Sequence, residues 1–144
     1  MMAKSTDELI KMLKNEPDIE HFIKENKEEI MCGDLSDYIV KLLQEKKLTV
    51  AKVSRRGQMS DSYLYKLNQG VKENPSRNKA IQMCFGFALN ADESQKLLNV
   101  AGVGRLYPRI RRDSIILHCL EHHVDILECD RLLEEAGDKT ILRE

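Results

Sequence analysis

Five polar residues between positions 61 and 69 could act together, because their spacing places them on one face of a helix. They are Asp61, Ser62, Tyr65, Lys66 and Gln69. Residues three and four apart share a face of an α-helix, and the aliphatic residues Leu64 and Leu67 fall on the other side. A helix with such a polar face fits the DNA major groove, where side chains hydrogen-bond base edges.

The elements that would position this face follow from the flanking residues. Thr49 is placed to cap one short helix and Ser60 the next, with a tight turn at residues 57–59. The predicted apolar seam between these helices consists of Val53, Met59, Leu64 and Leu67. Gly70 is placed to end the second helix in the left-handed conformation.

Charge is distributed unevenly along the chain. Residues 35–112 carry fifteen Lys or Arg and six Asp or Glu, a net charge of +9. Residues 1–34 have a net charge of −4, and residues 113–144 have one of −6. A basic middle between acidic ends is expected if only the middle contacts a polyanion. The alternative is that the segments neutralise one another in the folded chain.

Other groups of reactive side chains predict no further chemistry. His118 and His122 are one helical turn apart, with Cys119, His123 and Cys129 nearby. No HExxH pattern or CxxC pair accompanies them, so surface histidines and a packed cysteine are favoured over a metal site. The sequence contains no P-loop, GxSxG or GxGxxG motif. We therefore expect no catalytic residues, no metal and no cofactor.

Apolar residues recur at helical spacing, and nothing between Asp7 and Ala136 predicts a β-strand. Helices are expected to start near residues 34–36, at Thr49, at Ser60, after Pro75, after Asp92 and after Arg112, with a last one over residues 126–136. Upstream, a helix capped at Ser5 and a second over residues 19–30 are expected. Cys84 is expected to be buried, Arg109–Arg112 to form a solvated loop or ion pairs, and residues 138–144 to fray.

The ordered pattern consists of a helix before Leu48, the Leu48-Thr49 helix start, Ala51, Val53, Met59-Ser60, Leu64, Leu67, Gly70 and Asn74-Pro75-Ser76. In these features residues 35–101 resemble the Cro/repressor-type (XRE) helix-turn-helix family. The resemblance implies a five-helix domain whose third helix contacts bases, usually as a homodimer on a two-fold operator. Residues 106–113 and the two helices after them also resemble an extension found in bacterial members.

The resemblance also implies roles for individual residues. Asp61, Ser62 and Lys66 would face base edges, flanked by Tyr65 and Gln69, and Lys66 would donate to guanine. The residues expected to contact phosphates are Thr49, Lys52, Lys72, Ser76, Arg77 and Lys79. The amide end of the helix that starts at Ser76 would add an anion contact.

The sequence thus predicts an all-α chain with an N-terminal helical extension (1–33), a repressor-like helix-turn-helix domain (34–103) and a C-terminal helical hairpin (104–144). The predicted function is that of a transcriptional regulator that binds double-stranded DNA. The alternative is a protein-interaction module, an antitoxin or adaptor, on the same scaffold. Residues 19–30 are the first candidate for a homodimer or regulatory-partner face, with folding back onto the core as the alternative. No apolar stretch approaches the roughly 20 residues of a membrane span, and we expect a cytoplasmic protein.

Overall fold

The structure, a computed structural model, describes residues 6–15, 17–21, 35–70 and 75–143. Every regular element in these ranges is an α-helix, which confirms the all-α prediction for this part of the chain. The helices are α1 (Thr6–Asn15), α2 (Leu35–Lys46), α3 (Val50–Gly57), α4 (Asp61–Asn68), α5 (Arg77–Gly86), α6 (Ala91–Val100), α7 (Arg111–Glu121) and α8 (Ile126–Glu135). None of these helices has the length and apolar composition that a bilayer crossing demands.

The chain divides into two compact units, Met1–Cys32 and Gly33–Glu144. In the first unit, α1 exposes Ile10 and Leu13, each 45% accessible. The cap predicted at Ser5 and most of the helix predicted over residues 19–30 lie outside the described residues. The second unit contains both residues 34–103, the predicted domain, and residues 104–144, its predicted C-terminal extension.

Side chains cap most helices of the second unit at the N-terminus. The starts predicted at Thr49, at Ser60 and after Pro75 are confirmed. Helix α6 starts earlier than predicted, because Asn90 and Glu93 form a capping box in which each side chain accepts from the other's backbone N–H, at 2.9 and 3.1 Å. Helix α7 also starts earlier, so its first turn contains two of the arginines predicted to precede it.

One apolar core extends through the second unit. Each helix from α2 to α8 contributes at least one side chain with no accessible surface. Examples in chain order are Ile39, Val53, Leu64, Ile81, Leu97, Ile116 and Leu133. Cys84 is buried as predicted. All seven helices therefore share this core. Full burial of one such aliphatic side chain stabilises the fold by about 1.5–3 kcal/mol.

Helices α3 and α5 cross at a separation that only glycine permits. A Cβ atom on Gly57 would lie 2.6 Å from the Gln82 carbonyl oxygen, and one on Gly86 would lie 2.5 Å from the Val53 carbonyl oxygen. Each helix therefore supplies a glycine where the backbone of the other approaches. This crossing fixes the position of α3, the helix that precedes α4.

The prediction that residues 138–144 fray is wrong for the described part, residues 138–143. Ile141 is only 1% exposed, and its backbone N–H donates to the Asp130 carboxylate at 2.6 Å. Arg111 forms a salt bridge with Asp138 at 2.8 Å. Arg112 donates to the Lys139 carbonyl at 2.7 Å. The segment is held because an apolar side chain and a set of charged hydrogen bonds anchor it to α7 and α8.

Candidate nucleic-acid interface

The turn between α3 and α4 is held by hydrogen bonds from two directions. Gln58 adopts the left-handed conformation, with φ 55°, and its backbone N–H donates to the Arg55 carbonyl. From α5, the Gln82 side chain, 3% exposed, donates Nε2 to the carbonyls of Gly57 and Gln58 at 3.0 and 3.1 Å. The buried amide of Gln82 therefore anchors the turn to α5, and the direction of α4 is set by the core.

Helix α4 buries one face and exposes the other. Leu64 and Leu67 are 0% and 1% accessible. The exposed residues are Asp61, Ser62, Tyr65 and Lys66 on the helix and Gln69 at its C-cap. These are the five residues that the sequence predicts on one face, and the structure brings them together there. At about 1.5 Å per residue, α4 is roughly 12 Å long, comparable to the width of the DNA major groove.

Both ends of α4 are fixed. The Ser60 hydroxyl accepts a hydrogen bond from the Tyr63 backbone N–H at 3.1 Å, which confirms the predicted cap. Gly70 follows the helix with φ 74°, as predicted. From α2, the Ser36 hydroxyl donates to the Asn68 carbonyl. A helix held at both ends and along one side loses little freedom on binding, which favours a defined ligand geometry.

Most of the residues predicted to contact phosphates lie at the N-termini of α3 and α5. Thr49 caps α3 by accepting from the Lys52 N–H at 3.2 Å, and Ser76 caps α5 by accepting from the Lys79 N–H at 3.1 Å. The positive end of each helix dipole lies at these caps. The Lys79 ammonium lies 5.4 Å from the centre of the Tyr63 ring, so the start of α5 adjoins the first turn of α4.

Two residues of the predicted phosphate set differ from the others. Lys72 lies outside the described residues. The Arg77 guanidinium is bound within the second unit. Its Nη2 and Nη1 donate to the Asp113 carboxylate at 2.9 and 3.4 Å. Its Nε donates to the Gly104 carbonyl at 3.1 Å, and Nη2 also donates to the Arg105 carbonyl at 2.7 Å. These bonds use most of the donor capacity of a guanidinium. We therefore interpret Arg77 as a residue that positions the start of α5.

The predictions made from the sequence do not include Gln82 and Asp113, the two buried polar residues that hold this region. Gln82 has a recognisable signal, because it is the one polar residue in the apolar run 80–86. Asp113, 2% exposed, has none, because its partner Arg77 is 36 residues away in the chain.

The histidines and cysteines near the C-terminus lie apart from this face. The rings of His118 and His122 contact each other, with centroids 4.4 Å apart, while Cys119 and Cys129 are buried. Burial raises the pKa of the Cys119 thiol. Within the described ranges, no group of three or more His, Cys, Asp or Glu is arranged to hold a metal ion.

Comparison with known proteins gives no relative to compare this geometry with. No family model, curated protein or solved structure matches the chain.

Proposed function

We propose that this chain is a sequence-specific DNA-binding transcriptional regulator that places α4 in the major groove. The observation that carries the proposal is the polar face of α4. Its five residues are all exposed, whereas Leu64 and Leu67 on the opposite face are buried. Helix-turn-helix proteins bind DNA with a short helix whose exposed polar side chains enter the major groove, and the exposed face of α4 supports such a role.

In this proposal, α2 to α6 form a five-helix repressor-like domain, and α3 and α4 form its helix-turn-helix pair. Helix α4, the third of the five, would contact base edges, while α3 would cross the DNA backbone. The anchoring of the turn by Gln82 supports this assignment, as does the close crossing at Gly57 and Gly86. Both features hold the two helices at one angle, which insertion into a groove requires.

The exposed residues of α4 would have distinct roles at the bases. Lys66 would donate to O6 and N7 of a guanine, and Asp61 would accept from the amino group of a cytosine. Ser62, Tyr65 and Gln69 would contribute hydrogen bonds beside them. Sequence preference would depend mainly on Lys66, because charged donors make stronger hydrogen bonds than neutral ones.

Affinity without sequence preference would come from the N-termini of α3 and α5. Lys52 and Lys79 would pair with phosphates, supported by Thr49, by the amides after Ser76 and by Lys72. Arg77 would act indirectly, by holding the first turn of α5 through its bonds to Asp113 and to the carbonyls of residues 104 and 105. The C-terminal segment would thereby support the DNA-binding face.

We further propose that the regulator acts as a homodimer on a two-fold operator, in the cytoplasm. Repressor-like domains bind half-sites separated by about one helical turn of DNA, roughly 34 Å. The N-terminal unit is the candidate for dimerisation or for binding a regulatory protein, because α1 exposes Ile10 and Leu13.

The second candidate function is that of an antitoxin or adaptor that binds a protein through the same face. The exposed carboxylate of Asp61 favours this alternative, since it would repel phosphates. The ring of Tyr65, 49% exposed, also favours it, since aromatic residues are enriched in protein interfaces.

Selection from a random DNA library tests the proposal even though the operator sequence is unknown. The full chain would be used to enrich duplexes over several rounds, and affinities would be measured for the enriched sequence and a scrambled version. We expect an enriched sequence with two related half-sites. If no sequence is enriched, the DNA-binding proposal is contradicted and the protein-interaction alternative is favoured.

Matched lysine variants then test the role of α4. Lys66→Ala should weaken binding to the enriched sequence by about 5- to 150-fold, the equivalent of about 1–3 kcal/mol, and leave scrambled DNA nearly unaffected. Lys41→Ala is the control, because Lys41 is an exposed lysine on α2 that pairs with Glu45 at 3.9 Å. Equal losses on both DNAs for Lys66→Ala would contradict its contact with bases.

A further inference from the structure

A cavity of about 270 Å³ lies between α3, α5 and the turn that joins α7 to α8. Its apolar walls include Phe85, Leu89, Leu120 and Ile126, each no more than 7% exposed. Pockets for drug-sized ligands measure roughly 300–1,000 Å³, so this cavity suits a smaller molecule with an apolar body.

Charged side chains of both signs surround the mouth of the cavity. Arg56, His123 and Asp125 line it and are exposed. In the described part of the chain, no hydrogen bond or ion pair engages the Arg56 guanidinium. Asp125 caps α8 by accepting the Glu128 N–H at 2.8 Å, and a carboxylate with about four acceptor positions can accept further bonds. The mouth therefore carries one side chain that can bind an anionic group and one that can bind a cationic group.

Three helices end beside these charged side chains. Helices α3, α5 and α7 end at Gly57, Gly86 and Glu121, each within a few residues of a residue that lines the cavity. The Asp125 carboxylate favours an ammonium group there, whereas the Arg56 guanidinium favours a carboxylate.

We propose that this cavity binds a small apolar α-amino acid. The ligand carboxylate pairs with Arg56, the ammonium pairs with Asp125, and the aliphatic side chain contacts Leu89, Leu120 and Ile126. The proposal does not depend on DNA binding, because the cavity is formed by residues outside the exposed face of α4.

Three ligands that share one hydrocarbon body test the proposal. The full chain would be titrated with leucine, with 4-methylpentanoate, which lacks the amino group, and with 3-methylbutylamine, which lacks the carboxylate. Amide chemical shifts would be followed by NMR. We expect saturable shifts at Leu89, Val124 and Ile126 with leucine, and affinities at least about tenfold weaker for each truncated ligand. Absence of shifts at these amides with leucine, or equal affinities for all three ligands, would overturn the proposal.

Two variants assign the charged contacts. Arg56→Gln should weaken leucine binding about tenfold and leave 3-methylbutylamine unchanged. Asp125→Asn, which preserves the N-cap of α8, should weaken leucine binding and leave 4-methylpentanoate unchanged. Arg55→Gln is the control, because Arg55 is an exposed neighbour on α3 that does not line the cavity, and it should change nothing. A loss of leucine binding in Arg55→Gln equal to that in Arg56→Gln would contradict the assignment.

Discussion

Replacing Asp113 by asparagine tests whether the C-terminal segment supports the helices that we propose to bind DNA. The Asp113 carboxylate accepts two bonds from the Arg77 guanidinium and a third from the Tyr107 backbone N–H at 2.9 Å. Asparagine has nearly the same volume, but it is neutral, and an NH2 group that can only donate replaces one of the two carboxylate oxygens. The change therefore leaves part of the guanidinium without a charged acceptor while the packing is preserved.

The size of the effect follows from burial. Removing one partner of a buried ion pair costs about 3–5 kcal/mol, but the Arg77 side chain is 32% exposed, so water compensates part of the loss. We expect the free energy of unfolding to fall by about 2–3 kcal/mol. For a unit of this size, that corresponds to a decrease in Tm of about 8–12 °C.

Urea denaturation followed by far-UV circular dichroism would measure this change. The control is Arg143→Gln, which breaks an exposed pair in the C-terminal segment: the Arg143 and Glu134 side chains are 81% and 67% exposed and their charged atoms lie 4.0 Å apart. We expect no measurable change in the control, because exposed pairs are screened by solvent. A loss below about 1 kcal/mol for Asp113→Asn would refute the argument that this pair holds the start of α5.

Replacing Arg77, the partner of Asp113, distinguishes a role in positioning α5 from a role in contacting a phosphate. If Arg77 positions α5, Arg77→Gln lowers the free energy of unfolding and leaves the salt dependence of DNA binding unchanged. If Arg77 contacts a phosphate instead, the slope of log affinity against log salt concentration falls by about 0.9. Measuring both quantities on one variant decides between the two roles.

Three further predictions concern the helix crossing, one acidic residue and one lysine. Gly57→Ala should destabilise the fold by about 1–3 kcal/mol in urea denaturation, because its Cβ would lie 2.6 Å from the Gln82 carbonyl oxygen. Gly104→Ala is the control and should be tolerated, because its Cβ would lie 3.6 Å from Arg77 Nε, an ordinary contact distance. Although burial opposes it, the Asn90 N–H and the Lys46 ammonium lower the pKa of Glu93. Ionised Glu93 therefore stabilises the fold above its unfolded pKa of about 4.3, and this stability is lost as the pH falls through the folded pKa. We expect the loss of unfolding free energy caused by Glu93→Gln to be smaller at pH 3 than at pH 7. Lys79→Gln should weaken binding to all DNA sequences alike and reduce the salt slope by about 0.9 in anisotropy titrations; an unchanged slope would show that Lys79 does not contact a phosphate.

Local patterns predict the features of α3 and α4 because the physics there is local. A capping side chain bonds a backbone N–H three residues on, as Ser60 does with Tyr63. Residues one turn apart share a face, so Leu64 and Leu67 identify the buried side and leave the polar residues exposed.

Contacts between distant parts of the chain cannot be predicted from local sequence patterns. The Arg77–Asp113 pair joins residues 36 positions apart, and the order of the tail depends on Asp130 accepting from Ile141. A charged cluster in the sequence does not specify which residue it will pair with. The cavity beside Arg56 likewise exists only because three helices end near one another.

Fluorescence anisotropy with the DNA upstream of the protein's own gene, compared with a scrambled duplex over a salt series, tests the central claim most directly. The proposal predicts saturable binding that prefers the upstream duplex and weakens steeply as salt rises, since Lys52, Lys79 and their neighbours displace counterions. Absence of binding to either duplex at low salt would contradict the DNA-binding role of α4 and favour a protein partner at its exposed face.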